Sequence, residues 1–312
     1  MARNSTQHGL LRLLLAGAVA LSHLGVQPGG YHPGVAAVAI FYLLAGMVAG
    51  KLLALPIYSR PWDYWCNRWQ RIGPLYLLSL AVAALLWTRG ANSIFLSRTP
   101  GFGDWLANLA IIPLSFYMYT GQDGFTLIPP AWSLGVELQF YLLAPFILPR
   151  RRLLQLCLWA SFLIFGLAVL GILPADDFSY RLLPGVLFIF LAGVLLPRAR
   201  LGDSGARRNL LLLWLATLVL AGFVLLSHRR LAFSYEVLAG LLGAPLLLFF
   251  SSPLPSELDR FCGSLSYGLF LFHFPARWLV EIHTGRPAAP VLALVLALLL
   301  ATVGHLLVER RW

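Results

Sequence analysis

Two ionisable residues, Arg12 and His23, stand in one apolar stretch, LLRLLLAGAVALSHLGV at 10–26. At about 100° per residue the steps between them bring a helix to within about 20° of three full turns, so both side chains leave from one face, roughly 16 Å apart along the axis. Such a pair is expensive in an apolar helix unless it faces a bundle interior or a polar cavity, which marks it as a candidate for function. The plainer reading makes Arg12 an anchor at the helix start and His23 an interfacial residue near its end. An imidazole, with an ordinary pKa of about 6.5, is suited to act as a general base at neutral pH. A second ionisable site, Glu137, stands in AWSLGVELQFYLLAPF at 131–146, with Ser133 and Tyr141 on the same stretch. A carboxylate at the depth of a histidine can orient its ring and fix its tautomer; the alternative is a structural hydrogen bond within a bundle. A third, His273 in SYGLFLFHFP at 266–275, falls in the middle of an apolar run. It reads either as a buried, satisfied histidine or as a lining residue of a path through the protein.

The elements that must position these groups follow from composition. The chain of 312 residues is 59% hydrophobic and 11% charged, with a mean hydropathy of +0.79. Soluble domains carry about a quarter charged residues, so this composition excludes one. Apolar runs of about twenty residues recur throughout, the length needed to cross a bilayer as a helix. The expectation is an all-α, polytopic membrane bundle forming a single domain over 1–312. Ten spans are expected, at 10–26, 33–51, 74–90, 132–149, 153–172, 181–197, 210–227, 231–250, 262–283 and 289–308. A further apolar segment, 104–120, is interrupted by Asn108 and Pro113 and is expected to be interfacial or re-entrant. Ala18-Val19-Ala20 mimics a signal-peptidase site, but the apolar run continues to Val26 and more spans follow, so 10–26 is read as a retained span.

The net charge of +11 rests almost wholly on arginine. No folded basic domain is present to offer a nucleic-acid surface, so none is expected as a partner; the cations fall in short loops, where topology and anionic lipid headgroups account for them. With ten spans, seven of the 23 basic residues, Arg98, Arg181 and Arg277 among them, fall outside. The rest, including Arg12, Arg68, Arg71 and Arg150 to Arg152, fall on the cytoplasmic side. That bias predicts both termini in the cytoplasm. It also puts Arg12 at the cytoplasmic face, His23 about 5 Å from the outer end of its span and Glu137 about 8 Å below the outer end of another. The three cysteines, Cys66, Cys157 and Cys262, are too scattered for a metal site, and none is expected.

Several stretches, in order, resemble the acyltransferase 3 family of membrane acyltransferases. Arg12 and His23, with ten residues between them, are similar to its first-helix signature. GVAAVAIFYLLAGMV at 34–48 resembles its second helix, and Arg68-Trp69-Gln70-Arg71-Ile72-Gly73-Pro74 its Arg-x-x-Arg-Ile-x-Pro loop before the third. Trp132-Ser133-Leu134-Gly135-Val136-Glu137, followed by Phe140-Tyr141, matches the Trp-Ser-Leu-x-x-Glu-x-x-Phe-Tyr pattern. Ser266 to Pro275 resembles the penultimate-helix motif, and Glu309-Arg310 stands where the last helix ends. Two features depart from the pattern. Ala45 stands where the family usually has serine, and with Trp312 as the last residue the esterase domain fused to some relatives is not expected.

The resemblance implies transfer of an acyl group, with acetyl expected, from cytoplasmic acyl-CoA to a hydroxyl of a carbohydrate. The acceptor class is a surface polysaccharide or its lipid-linked precursor, with polysaccharide-assembly proteins as possible partners beside membrane lipids. The localisation implied is a bacterial inner membrane. On this reading His23 is the base and Glu137 its orienting partner. Arg12, Arg68 and Arg71 face the phosphates of acyl-CoA, for which the planar guanidinium fork is suited. Trp132, Ser133, Tyr141 and His273 are the expected substrate-contacting residues. Ser133 and Tyr141 make no nucleophile triad by their helical offsets, so direct transfer is expected rather than a covalent acyl-enzyme. The alternative function is a transporter or flippase for a lipid-linked sugar; the absence of matched halves in the sequence argues against it.

Overall fold

The structure, a computed structural model, describes residues 8–227, 231–250 and 256–308. Within them the chain is helical, with turns and short 3-10 or π segments, and no strand occurs among the described residues. Each expected span lies largely within one helix. In chain order these are α1 (Gly9–His23), α2 (Pro33–Leu52) and α3 (Pro61–Thr88), then, after two short helices, α4 (Phe102–Ala110) and α5 (Tyr117–Thr120), α6 (Ala131–Ile147), α7 (Arg151–Val169), α8 (Leu183–Arg200), α9 (Ser204–Leu226), α10 (Ser234–Phe250), α11 (Ser256–Thr284) and α12 (Pro290–Leu307). Among the described residues six helices are long and apolar enough to cross a membrane, and α1, α6 and most of α10 form shorter apolar helices. The chain is a multi-pass membrane protein. The Glu309-Arg310 pair, and Arg3, Arg229, Arg230 and Arg311 of the charge count, lie outside the described residues.

Two boundaries differ from expectation for identifiable reasons, and the interrupted segment divides where its sequence breaks. Helix α3 starts at Pro61, where a proline suits the first turn and Asp63 faces the helix dipole, so Arg68 and Arg71 sit on a helix rather than in a loop before it. Helix α1 stops at His23 instead of running to Val26. Gly25, at φ +89°, takes the left-handed position that ends a helix, Val26 N–H donates to Leu21 carbonyl at 3.0 Å and Gly25 N–H to Ser22 carbonyl at 3.3 Å. The segment 104–120 is not one helix: α4 ends before Ile111, a 3-10 turn covers Ile112–Phe116, and α5 has four residues. At about 1.5 Å per residue none of these pieces approaches the roughly 30 Å hydrocarbon thickness.

The chain divides into two compact units. The first comprises 1–37, 71–132 and 245–312, and the second 38–70 and 133–244.

In the first unit α1 lies along α11, and α11 along α12. Small residues permit the close approach that membrane helices need. A Cβ built on Gly9 would fall 1.7 Å from the carbonyl oxygen of Asp259, and one on Gly268 2.7 Å from Ala301 Cβ. Asn108, which interrupts the apolar run at 104–120, is fully buried and ties that segment together. Its amide nitrogen donates to the Asp104 and Phe125 carbonyls (2.9 and 3.2 Å), while its oxygen accepts from Leu127 N–H at 2.9 Å. Tyr76 hydroxyl donates to the Asn108 carbonyl at 2.6 Å. Beside it Arg98 holds Asp104 through two hydrogen bonds of 2.7 and 2.5 Å, and the bond from Arg98 draws that carboxyl below its ordinary value.

In the second unit α8 packs between α7 and α9. Tyr42 and Phe140 each stack on Phe190, with centroids 4.6 and 4.4 Å away, and Phe162, Phe165 and Phe188 form a second aromatic cluster. Trp159 Nε1–H donates to Asn209 Oδ1 at 3.1 Å, joining α7 to α9.

Candidate active site

Helix α1 is fixed at both ends. At its start, Asp259 of α11 accepts hydrogen bonds from Gly9 N–H (2.9 Å) and Leu10 N–H (3.2 Å), satisfying two of the donors a helix N-terminus leaves open. At its end, the Gly25 stop makes His23 the last helical residue. Arg12, partly buried in the second turn, and His23 in the last turn share one face as the spacing predicts.

His23 meets His273 of α11, with Nδ1 of His23 3.0 Å from Nε2 of His273. The rings are nearly parallel, 5° apart with centroids 5.2 Å apart. His273 is 1% exposed, and its Nδ1 lies 3.3 Å from the Leu269 carbonyl one turn earlier. His23 is exposed. Phe274 packs against both rings, 5.3 Å from His23 and 5.0 Å from His273, and Phe95 meets Phe274 edge-on. Just beyond, Arg277 bonds Glu281 at 2.8 Å and reaches the backbone carbonyl of His23 at 3.4 Å. An accessible imidazole held by a buried one is an arrangement fit for proton transfer at the protein surface.

Other predicted residues of this unit take definite places. The Arg71 guanidinium lies over the ring of Tyr267, 5.6 Å from its centroid, and Tyr267 hydroxyl donates to the Ile72 carbonyl at 2.9 Å. Trp132 is buried.

The second unit gathers three more. Glu137 accepts a hydrogen bond from Tyr141 hydroxyl at 2.5 Å, four residues along α6. The Arg68 guanidinium stands over the Tyr141 ring, 5.7 Å from its centroid, and is tied to Asn67 Oδ1. Tyr64, fully buried on α3, meets Tyr141 edge-on at 6.1 Å, and Trp65 Nε1–H donates to the Tyr141 backbone carbonyl at 3.2 Å. The Tyr64 hydroxyl has no hydrogen-bond partner among the described residues. Ser133 is buried.

Sequence reasoning singled out both His23 and His273 but not their contact, because periodicity assigns a helix face without naming the neighbouring helix. It missed Asp259, whose signal was a carboxylate at the start of an apolar segment. It also missed Tyr64, which stands one helical turn before Arg68 on α3.

A family model described as an acyltransferase domain, acyltransferase 3, matches residues 9–310 and so covers both units. An uncharacterized protein of Aquifex aeolicus (strain VF5) is 38% identical over 159 residues, 49% of this chain and 72% of that protein. No solved structure matches. With a match running from the first residue of α1 past the end of α12, the chain belongs to the acyltransferase 3 family.

Proposed function

We propose that the protein moves an acyl group, acetyl in the simplest case, from acyl-CoA to a carbohydrate hydroxyl, with His23 as general base. The observation that carries this reading is the exposed His23 ring, fixed at the end of a helix whose two termini are pinned and bonded to a buried second imidazole. In the step proposed, the acceptor hydroxyl oxygen attacks the thioester carbonyl while His23 takes its proton. The carbon–sulfur bond then breaks, the ester forms, and the CoA thiolate leaves with the proton that the imidazolium returns. No covalent acyl-enzyme is needed. Arg12, Arg68 and Arg71 are each proposed as a cation for the donor's phosphates. Glu137, bonded to Tyr141, is proposed as a functional carboxylate. Trp132, Ser133 and Tyr141 are proposed to contact substrate.

The cellular setting proposed is a bacterial inner membrane with both termini in the cytoplasm and a surface polysaccharide, or its lipid-linked precursor, as acceptor. Mass spectrometry of surface glycans from cells with and without the gene tests the reaction. Loss of one acyl substituent without loss of the glycan is expected. Disappearance of the whole glycan would favour movement of a lipid-linked sugar instead.

A further inference from the structure

We infer that His273 is a positioning residue that fixes the tautomer of His23, leaving Nε2 of His23 as the atom that takes the acceptor's proton. The inference rests on the reading of His23 as base and deepens it. It follows from counting donors and acceptors along one chain of contacts. A backbone carbonyl only accepts, so the 3.3 Å contact with Leu269 calls for the proton of His273 on Nδ1. A neutral imidazole carries one N–H, and a ring 1% exposed beside Phe270 and Phe274 is a costly place for a charge. Nε2 of His273 is therefore an acceptor.

The partner 3.0 Å away, Nδ1 of His23, must then donate. That leaves the lone pair of His23 on Nε2, across the ring from the contact. The reverse assignment sets the His273 Nδ1 lone pair against the Leu269 carbonyl lone pairs and puts the His23 proton on Nε2, where it would block a base. The edge-to-edge, near-parallel placement of the two rings and the Phe274 contacts hold the ring in this orientation. A buried histidine here takes the orienting role that a carboxylate or carbonyl takes at other catalytic histidines.

The test compares His273→Gln with His273→Leu in the full chain, purified in detergent. CoA release from acetyl-CoA is followed with methyl glucoside as the hydroxyl probe, and Tm is measured for each variant. Gln offers an oxygen acceptor near the place of Nε2; Leu fills the space with none. His273→Leu is expected to lower kcat about 10- to 100-fold, with KM for acetyl-CoA within about twofold, the signature of an interaction used in the reaction rather than in binding. His273→Gln is expected to recover most of kcat at a similar Tm. Equal kcat in both variants, whether undiminished or lowered together with Tm, overturns the positioning role. His23→Ala is run alongside. If it is inactive while His273→Leu is fully active, the base stands and the tautomer role falls; if it is active, the base itself falls.

Discussion

At the scale of single residues, the site depends on groups that are individually ordinary. His23 gains its role from an exposed position and a second ring at 3.0 Å. Glu137 and Tyr141 are an i, i+4 pair, so their hydrogen bond was legible from spacing alone once a helix was expected there. The His23–His273 contact joins residues 250 positions apart on two apolar helices, and no local pattern carries that information. The Tyr141 hydroxyl also supplies a prediction. Removing it in Tyr141→Phe takes one hydrogen bond from the half-buried Glu137 while keeping the ring beneath Arg68. A loss of about 1 kcal/mol in stability is expected for the lost hydrogen bond, read as a lower Tm of the purified protein. An unchanged Tm would show that the bond contributes nothing.

At the scale of elements, α1 matters most, because its two ends set where Arg12 and His23 stand. The Gly25 stop was readable in the sequence as Gly-Val-Gln-Pro-Gly-Gly after the apolar run, yet the run's own hydrophobicity masked it and set the expected end at Val26. Gly25→Ala forces a side chain into φ +89° at a cost of about 1–2 kcal/mol. Frayed at that end, α1 should lose kcat more than KM for acetyl-CoA; a variant with wild-type kcat would separate the helix stop from catalysis. At the start, the sequence shows the Asp259 carboxylate but not which helix it caps, since that helix lies 250 positions away. Asp259→Ala should lower Tm by the loss of a cap worth about 1 kcal/mol, and Asp259→Asn, which keeps an acceptor, should recover most of it. Equal Tm in the two variants would dismiss the cap.

The same scale holds a pH prediction. Asp104 has a folded-state value below its ordinary one, first because Arg98 bonds it. A carboxyl so lowered contributes stability that is present above its unfolded value, about 3.9, and lost as pH falls through the folded value. Asp104→Asn should therefore lower Tm at pH near 7 and make progressively less difference in acid; a penalty independent of pH would assign the effect to packing.

At the scale of the whole molecule, the fold class was legible because membrane spans are written in composition: long apolar runs must become helices where backbone groups have no water to bond. Ten expected spans find ten helices. The segment at 104–120 was ambiguous for a physical reason, since Asn108 breaks hydrophobicity in order to bond three backbone groups. The division into two units, each assembled from distant parts of the chain, leaves no mark in local pattern. The charge bias predicts that His23→Cys, with the three native cysteines replaced by serine, is labelled by an impermeant thiol reagent only from the outer side; labelling from the cytoplasmic side would contradict the predicted orientation. The most direct test of the central claim is acyl transfer by the purified full chain and its His23→Ala variant, with acetyl-CoA saturating and methyl glucoside as acceptor. A general base contributes about 10²- to 10⁴-fold, so a kcat at least a hundredfold lower, with KM for acetyl-CoA unchanged and the protein folded, is the predicted result. A kcat within twofold of the unsubstituted protein would contradict it.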